Sequence, residues 1–103
     1  MTNMKDRENA FESKFAHDEN LKFKATARRN KLLGLWAAEK NGLSGDAADA
    51  YAKTVVAADF EEAGDDDVFR KVRGDLKADV SDHQIRKAME ELMATAVDQI
   101  SKA

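Results

Sequence analysis

The sequence contains no cysteine, which excludes a disulfide framework, a thiolate nucleophile and a zinc site built from cysteine. Proline is also absent, glycine occurs five times in 103 residues, and aromatic residues make up 7%. Charges run through residues 1–14, and no apolar run reaches the roughly 20 residues of a membrane span, so neither a signal peptide nor a transmembrane helix is predicted. We expect a soluble, intracellular protein of one domain's length, with no direct membrane insertion.

Charge is abundant but unevenly distributed along the chain. Charged residues account for 36% of the sequence, and the formal net charge is −3 at pH 7. Lys and Arg outnumber Asp and Glu by three in residues 1–31, whereas the acids are in excess by seven in residues 32–67. Because a nucleic-acid-binding domain is usually basic overall, we expect no nucleic-acid partner.

Three breaks in the apolar pattern predict an all-α protein whose four helices form a bundle-like domain. At the first break, Gly42 is suited to end a helix in the left-handed conformation, Leu43 to pack back, and Ser44 to cap the next helix. A run of aspartates marks the second break. At the third, Ser81 and Gln84 have the spacing of a capping box. The predicted helices span Met4–Lys40, Asp46–Ala63, Asp66–Asp79 and Asp82–Ser101.

The long first segment has a core-facing stripe in its second half, formed by Leu21, Ala25, Leu32 and Trp36. Trp36 is therefore predicted to be a core residue. The third helix contains Gly74, and glycine inside a helix lowers its stability by about 1 kcal/mol relative to alanine. We expect this helix to be the least secure of the four.

The beginning of the first segment has an apolar stripe of its own. Met4, Phe11 and Phe15 share one face, which is rotated from the following stripe across a polar stretch. We therefore divide the chain into an N-terminal amphipathic arm, residues 1–19, either mobile or helical, and a helical body, residues 20–103. Either the two phenylalanines complete the core of the body, or the arm docks in a groove of another protein. The separate phase of the stripe favours docking.

The sequence offers no constellation of catalytic or metal-binding residues. Its two histidines, His17 and His83, are far apart, and the run Asp65–Asp67 lacks the alternating order of a calcium loop. No phosphate-binding glycine loop is present. We predict a protein that is not an enzyme and that uses neither a cofactor nor a metal.

A basic cluster occupies the middle of the first segment. Its members are Lys22, Lys24, Arg28, Arg29 and Lys31. Side chains on both sides of the core stripe would border the core with their stems and keep their charges in water. A docking rim for another protein is a second interpretation. The alternative function is a small nucleotide- or nucleic-acid-binding helical module that uses the cluster Lys22–Lys31 together with Trp36. An acidic run, from Asp59 to Asp67, is expected to form a solvated face or to pair with the cluster.

Long stretches of the chain resemble a known family, the zeta subunits of alphaproteobacterial ATP synthases. The most specific stretch is ARRNKLLGLWAA at residues 27–38. The matching stretches are Phe11–Glu19, Phe23–Ala38, Tyr51–Lys53, Ala58–Gly64, Asp67–Arg73 and His83–Arg86. Together they extend over nearly the whole chain.

The resemblance implies a four-helix protein that inhibits ATP hydrolysis by the F-type ATP synthase. It implies that the N-terminal segment enters a catalytic interface between the alpha and beta subunits of the catalytic head, near the gamma subunit, and stops reverse rotation. It places the protein in the cytoplasm, at the inner face of the cell membrane, with weak nucleotide binding as an open question. Carried onto this chain, the inhibitory residues are Met4, Arg7, Glu8, Phe11, Lys14, Phe15 and His17, with Phe23, Lys24 and Arg28 as a secondary contact.

Overall fold

The computed structural model describes residues 19–59 and 65–102. Within these ranges the chain forms four α-helices and no strand, which confirms the all-α prediction. Residues 1–18 of the predicted arm and 60–63 of the second predicted helix lie outside them. No helix in the described ranges is both long enough and apolar enough to cross a membrane. The helices are α1 (Glu19–Lys40), α2 (Gly45–Ala58), α3 (Asp66–Asp75) and α4 (Asp82–Lys102).

The turn between α1 and α2 has the predicted glycine-terminated geometry. Gly42 has a φ of 78°. The amide of Leu43 donates to the carbonyl oxygen of Ala38 at 2.8 Å, and that of Gly42 donates to Glu39 at 3.0 Å. These two bonds satisfy carbonyl groups that the end of a helix leaves unpaired. Ser44 stands at the N-cap with extended backbone, but its side chain makes no capping bond, so that part of the prediction is wrong. Leu43 is 38% exposed, so the predicted packing of its side chain against the helix is also not observed.

The third helix, α3, ends four residues before the predicted boundary. Leu76 leaves the helical conformation, with φ −94° and ψ 152°, and its side chain is buried. The guanidinium of Arg73 then donates to the carbonyl oxygens of Lys77 at 2.8 Å and of Val80 at 2.6 Å. Burial of Leu76 and these two bonds stabilise a turn where Gly74 weakens the helix.

The start of α4 confirms the capping box. The side chain of Gln84 accepts from the amide of Ser81 at 2.8 Å, and the hydroxyl of Ser81 accepts from the amide of Gln84 at 3.1 Å. Val80 and Ile85, which flank the cap, are both buried. The two reciprocal bonds and this apolar contact fix the direction in which α4 leaves the turn.

The core lies between α1 and the other three helices. Fully buried aliphatic side chains come from every helix, and four larger side chains pack around them. Trp36 is one of these four and is partly buried, at the edge of the core. The largest fully buried apolar side chains are those of Leu33, Val55, Val68, Val72 and Ile85.

The buried face of α1 differs from the predicted stripe. Ala25 is buried as expected, but Leu32 is only partly buried, whereas Leu33 and Ala37 are fully buried. The reason is that α1 packs against both α2 and α4. A helix with two neighbours buries a wider arc than one with a single neighbour, and here that arc includes both Leu33 and Ala37.

Gly34 allows a close approach between α1 and α2. A Cβ atom added to Gly34 would lie 2.5 Å from the Cα of Ala52. No side chain fits at that distance, so the crossing of α1 and α2 depends on glycine at position 34.

Candidate functional site

The residues predicted to form the inhibitory arm lie outside the part of the chain that the structure describes. Their assignment therefore stays a prediction. The described chain begins at Glu19, in α1, so the predicted division into arm and body also stays a prediction. The residues concerned are Met4, Arg7, Glu8, Phe11, Lys14, Phe15 and His17.

The predicted secondary contact lies on the outer side of α1. Phe23 is 60% exposed, and Lys24 and Arg28 are also exposed. Because Lys24 and Arg28 are four residues apart, they share one side of the helix. The guanidinium of Arg28 donates to the side-chain oxygen of Gln99 on α4 at 3.0 Å. Lys31 continues the same side, and we call Lys24, Arg28 and Lys31 the basic face.

Arg29, the fourth residue of the basic cluster, points into the protein. It is 2% exposed, and its Nη2 donates to Oδ1 of Asp65 at 2.7 Å. Its Nε donates to Oδ1 of the buried Asn30 at 2.8 Å. The expectation that the acidic run pairs with the basic cluster is confirmed for this one pair. The expectation that all five cations border the core is wrong, because Arg29 is inside it.

Two further acids surround this buried arginine. Asp67 is 4% exposed, and its Oδ1 accepts from the amide of Val68 at 2.8 Å. Burial raises the pKa of Asp59; the Asn30 side chain and the charge of Arg29 oppose that rise, and the charges of Asp67 and Asp65 add to it. Nδ2 of Asn30 is buried without a hydrogen bond of normal geometry, so it acts on Asp59 as a nearby dipole. The acidic run is therefore not wholly a solvated face.

A second polar cluster joins the end of α1, the middle of α2 and the end of α3. The hydroxyl of Tyr51 donates to Oδ2 of Asp75 at 2.8 Å, and Lys71 pairs with the same oxygen at 2.8 Å. The side chain of Asn41 donates to the carbonyl oxygen of Asp75 at 2.9 Å. Burial and the Asp75 carboxylate raise the pKa of Tyr51. Burial would raise the pKa of Asp75, but the bonds from Lys71 and Tyr51 and the charge of Lys71 lower it overall.

The residues of the alternative binding module are not brought together. Trp36 packs at the edge of the core, and Nζ of Lys40 lies 5.6 Å from the centre of its ring. Lys24 and Lys31 lie on the outer side of α1, and Arg29 is inside. The aromatic ring and the cations of the cluster therefore do not line one common site.

In ranges 19–59 and 65–102, no group of three or more histidine and acidic side chains is placed to hold a metal ion. His83 is exposed in the first turn of α4. The polar clusters around Arg29 and Asp75 connect helices, so their main effect is on the fold.

Comparison of the sequence with known protein families identifies the family of this chain. The sequence profile described as ATPase inhibitor subunit zeta matches residues 1–99. The chain belongs to this zeta subunit family. The match confirms the resemblance seen in the sequence, and it includes the whole predicted arm. Membership in the zeta family supports an inhibitory, regulatory role that involves the ATP synthase.

A solved structure agrees with the zeta subunit fold. It is described as a solution NMR structure, is 56% identical, and matches with a TM-score of 0.75 over 80% of this chain and 96% of that chain. No curated protein matches the chain. The helical body described here is thus similar to an experimentally determined one.

Sequence reasoning did not predict that three polar residues of this zeta family member are buried, namely Arg29, Asn30 and Asp67. The burial of Arg29 was indicated by its position, because it lies four residues from both Ala25 and Leu33, which are buried. A charged residue in an apolar stripe calls for a buried partner. Nothing in the local pattern identifies Asp65 as that partner, because it is 36 residues away in the chain.

Proposed function

We propose that this protein inhibits ATP hydrolysis by the F-type ATP synthase through its N-terminal arm, residues 1–19. The arm inserts into a catalytic interface between an alpha and a beta subunit of the catalytic head, near the gamma subunit, and stops reverse rotation. The observation that carries this proposal is the zeta family match, which begins at residue 1 and continues through the body. A match confined to the body would not support a role for the arm.

The amphipathic pattern of the arm supports insertion into a groove. Met4, Phe11 and Phe15 form an apolar ridge, and large aromatic anchors contribute much of the binding energy in such interfaces. Arg7 and Lys14 set the register through charge pairs with the partner. Glu8 and His17 complete the set of proposed contacts on the polar side of the arm.

The body gives the arm a fixed point of attachment. α1 is held to α2 by the close approach at Gly34 and to the segment before α3 by the pair of Arg29 and Asp65. The body remains outside the catalytic interface as a bulky plug, and Phe23, Lys24 and Arg28 form a secondary contact on the exposed side of α1. The protein carries out no reaction, uses no cofactor, and associates peripherally with the enzyme on the cytoplasmic side of the membrane.

Deletion of residues 1–19 tests the proposal. The truncated protein should keep the helical circular dichroism of the body and should no longer inhibit ATP hydrolysis by the purified ATPase. A matched control carries residues 1–19 in shuffled order, which preserves length, charge and composition but removes the apolar ridge. It should fail to inhibit as well. Full inhibition by the truncated, folded protein would show that the arm is not the inhibitory element.

Binding to nucleotide separates this function from the alternative one. The single tryptophan, Trp36, gives a fluorescence signal for titration with ATP or with an oligonucleotide. We expect no salt-sensitive binding of the oligonucleotide, because the chain is acidic overall and Trp36 lies apart from the basic face. Tight, salt-sensitive binding would favour the alternative.

A further inference from the structure

The outer side of α1 carries positive charge only. No Asp or Glu occurs from Asn20 to Ala38, and the exposed charged residues in this span are Lys22, Lys24, Arg28 and Lys31. The three residues of the basic face recur at the spacing i, i+4, i+7, which keeps them on one side of the helix. This uniform charge is notable in a protein whose net charge is −3.

The lysines of this surface have no acidic partner among the described residues, unlike three lysines on α3 and α4. Lys71, Lys87 and Lys102 each pair with an acid four residues along the helix. Among the described residues, no carboxylate lies within 4.0 Å of Lys24 or Lys31, nor of Lys53 on α2. Arg28 bonds only to a neutral amide, that of Gln99. Among the described residues, no carboxylate within 4.0 Å therefore neutralises the positive charge of this surface.

An apolar groove adjoins the basic face between α1 and α2. Lys31 and Lys53 line it, its apolar lining comes from Ala52 and Val56, and Asp49 is the one carboxylate in the lining. Its volume is about 400 Å³. Ala52, which Gly34 approaches closely, is part of this lining.

We infer that the basic face, Lys53 and this groove form a second docking surface, which binds an acidic segment with an aliphatic side chain on the partner ATPase. Charge complementarity supports this occupant, because cations without internal partners favour a carboxylate-bearing surface. The aliphatic groove supports a protein, since phosphate backbones and lipid headgroups have no side chain to fill it. This inference rests on the proposed function for the identity of the partner.

The docking surface and the arm have different roles in inhibition. The docking surface speeds association and raises the local concentration of the arm at the enzyme, while the arm alone blocks the catalytic interface. Loss of the docking surface should therefore weaken binding without changing the extent of inhibition at saturation. Loss of the arm should remove the inhibition itself.

The test uses the full-length protein with Lys24→Glu, Lys31→Glu and Lys53→Glu combined. Equilibrium binding to the purified ATPase should weaken at least about tenfold, and binding should lose most of its dependence on salt. ATP hydrolysis at saturating inhibitor should be blocked as fully as by the wild type. The matched control changes the same charge on lysines outside α1 and α2, through Lys77→Glu, Lys87→Glu and Lys102→Glu. It should bind within about twofold of the wild type.

A neutral variant tests the same surface in case charge reversal unfolds the protein. If the charge-reversed protein loses its helical circular dichroism, the variant with glutamine at the same three positions replaces it, and binding should still weaken by about threefold or more. Unchanged affinity and salt dependence in a folded variant would overturn the inference, whereas the proposed function would stand. Failure of the wild type to inhibit would overturn the proposed function.

Two other anionic partners are checked with the same variants. The wild type should bind neither a 20-nucleotide single strand nor vesicles of phosphatidylglycerol at physiological salt. If either is bound in a way that the three lysine substitutions abolish, while ATPase binding is unaffected, the surface serves that partner and the inference is wrong. Absence of both interactions supports docking to the acidic protein surface.

Discussion

Nη2 of Arg29 lies 2.7 Å from Oδ1 of Asp65, although the arginine side chain is 2% exposed and the aspartate side chain is 54% exposed. The two residues are 36 positions apart, and Asp65 directly precedes α3. A buried guanidinium is costly unless a nearby acid compensates its charge. This pair therefore fixes the start of α3 against the middle of α1.

Asp65→Asn should lower the free energy of unfolding by about 2 kcal/mol, since it leaves Arg29 buried with a weaker partner. The side chain of Asp65 makes no capping bond, so the change does not remove a helix cap. The matched control is Asp66→Asn, whose carboxylate is 75% exposed and 3.6 Å from Arg86. That change should cost no more than about 0.5 kcal/mol. Urea denaturation measures the free energy of unfolding of both variants. Equal losses would show that the buried pair of Arg29 and Asp65 stabilises the protein no more than an exposed ion pair does.

Two glycine-to-alanine changes should act in opposite directions. Gly34→Ala should destabilise the protein by about 1–3 kcal/mol, because its Cβ would meet the backbone of Ala52 and push α1 from α2. Gly74→Ala meets no atom within 4 Å and should stabilise α3 by about 0.5–1 kcal/mol. Thermal unfolding of the two variants gives the comparison. A neutral effect of Gly34→Ala would mean that the helices do not cross so closely.

The single tyrosine gives a direct optical measure of the cluster at Asp75. Its phenolate absorbance should appear at a higher pH than that of free tyrosine, because burial and Asp75 raise the pKa of Tyr51. Asp75→Asn should lower the midpoint part of the way, since burial remains. Asp79→Asn, an exposed acid in the following turn, should leave it unchanged. Circular dichroism at the same pH checks that the protein stays folded, and an unaltered midpoint in Asp75→Asn would exclude the proposed bond.

Acidification should reveal the raised pKa of Asp59. A raised folded-state pKa means that ionised Asp59 destabilises the protein, and this penalty disappears as the pH falls through the folded-state pKa. Asp59→Asn should therefore increase the free energy of unfolding at pH 7, and its advantage should shrink in acid.

The control for acidification is Asp75→Asn, which has the opposite sign. The pKa of Asp75 is lowered in the folded state, so its carboxylate stabilises the protein above the unfolded-state pKa, and that benefit is lost as the pH falls through the folded-state pKa. The variant should be less stable than the wild type at pH 7 and should approach it in acid. Urea midpoints from pH 7 to about pH 3 test both, and a common sign would contradict the assignments.

Phe11→Ala combined with Phe15→Ala should weaken inhibition of the ATPase while changing the free energy of unfolding by less than about 1 kcal/mol. The reason is that the proposed arm buries both rings in the partner. Phe69→Ala, which removes a ring packed against the core of the body, should instead cost about 3 kcal/mol. A loss of several kcal/mol in the arm variant would show that the two rings belong to the core.

Local signals in the sequence were sufficient where one turn of chain sets the structure. The glycine-terminated end of α1 at Gly42 and the capping box of Ser81 and Gln84 depend on residues no more than five positions apart, so both were predictable. The family resemblance was also contained in the sequence, through the long stretch at residues 27–38. The early end of α3 was not, because Leu76 is drawn out of the helix by burial in the core.

The sequence by itself determined that the protein is helical, where α2, α3 and α4 begin, and which family it belongs to. Only the tertiary structure decided that Arg29 turns inward while Lys24, Arg28 and Lys31 stay outside on one face. These residues have the same charge and lie on the same helix. Which of them is buried depends on the neighbours that α1 meets and on a distant carboxylate at Asp65, and helical spacing within α1 carries no information about either.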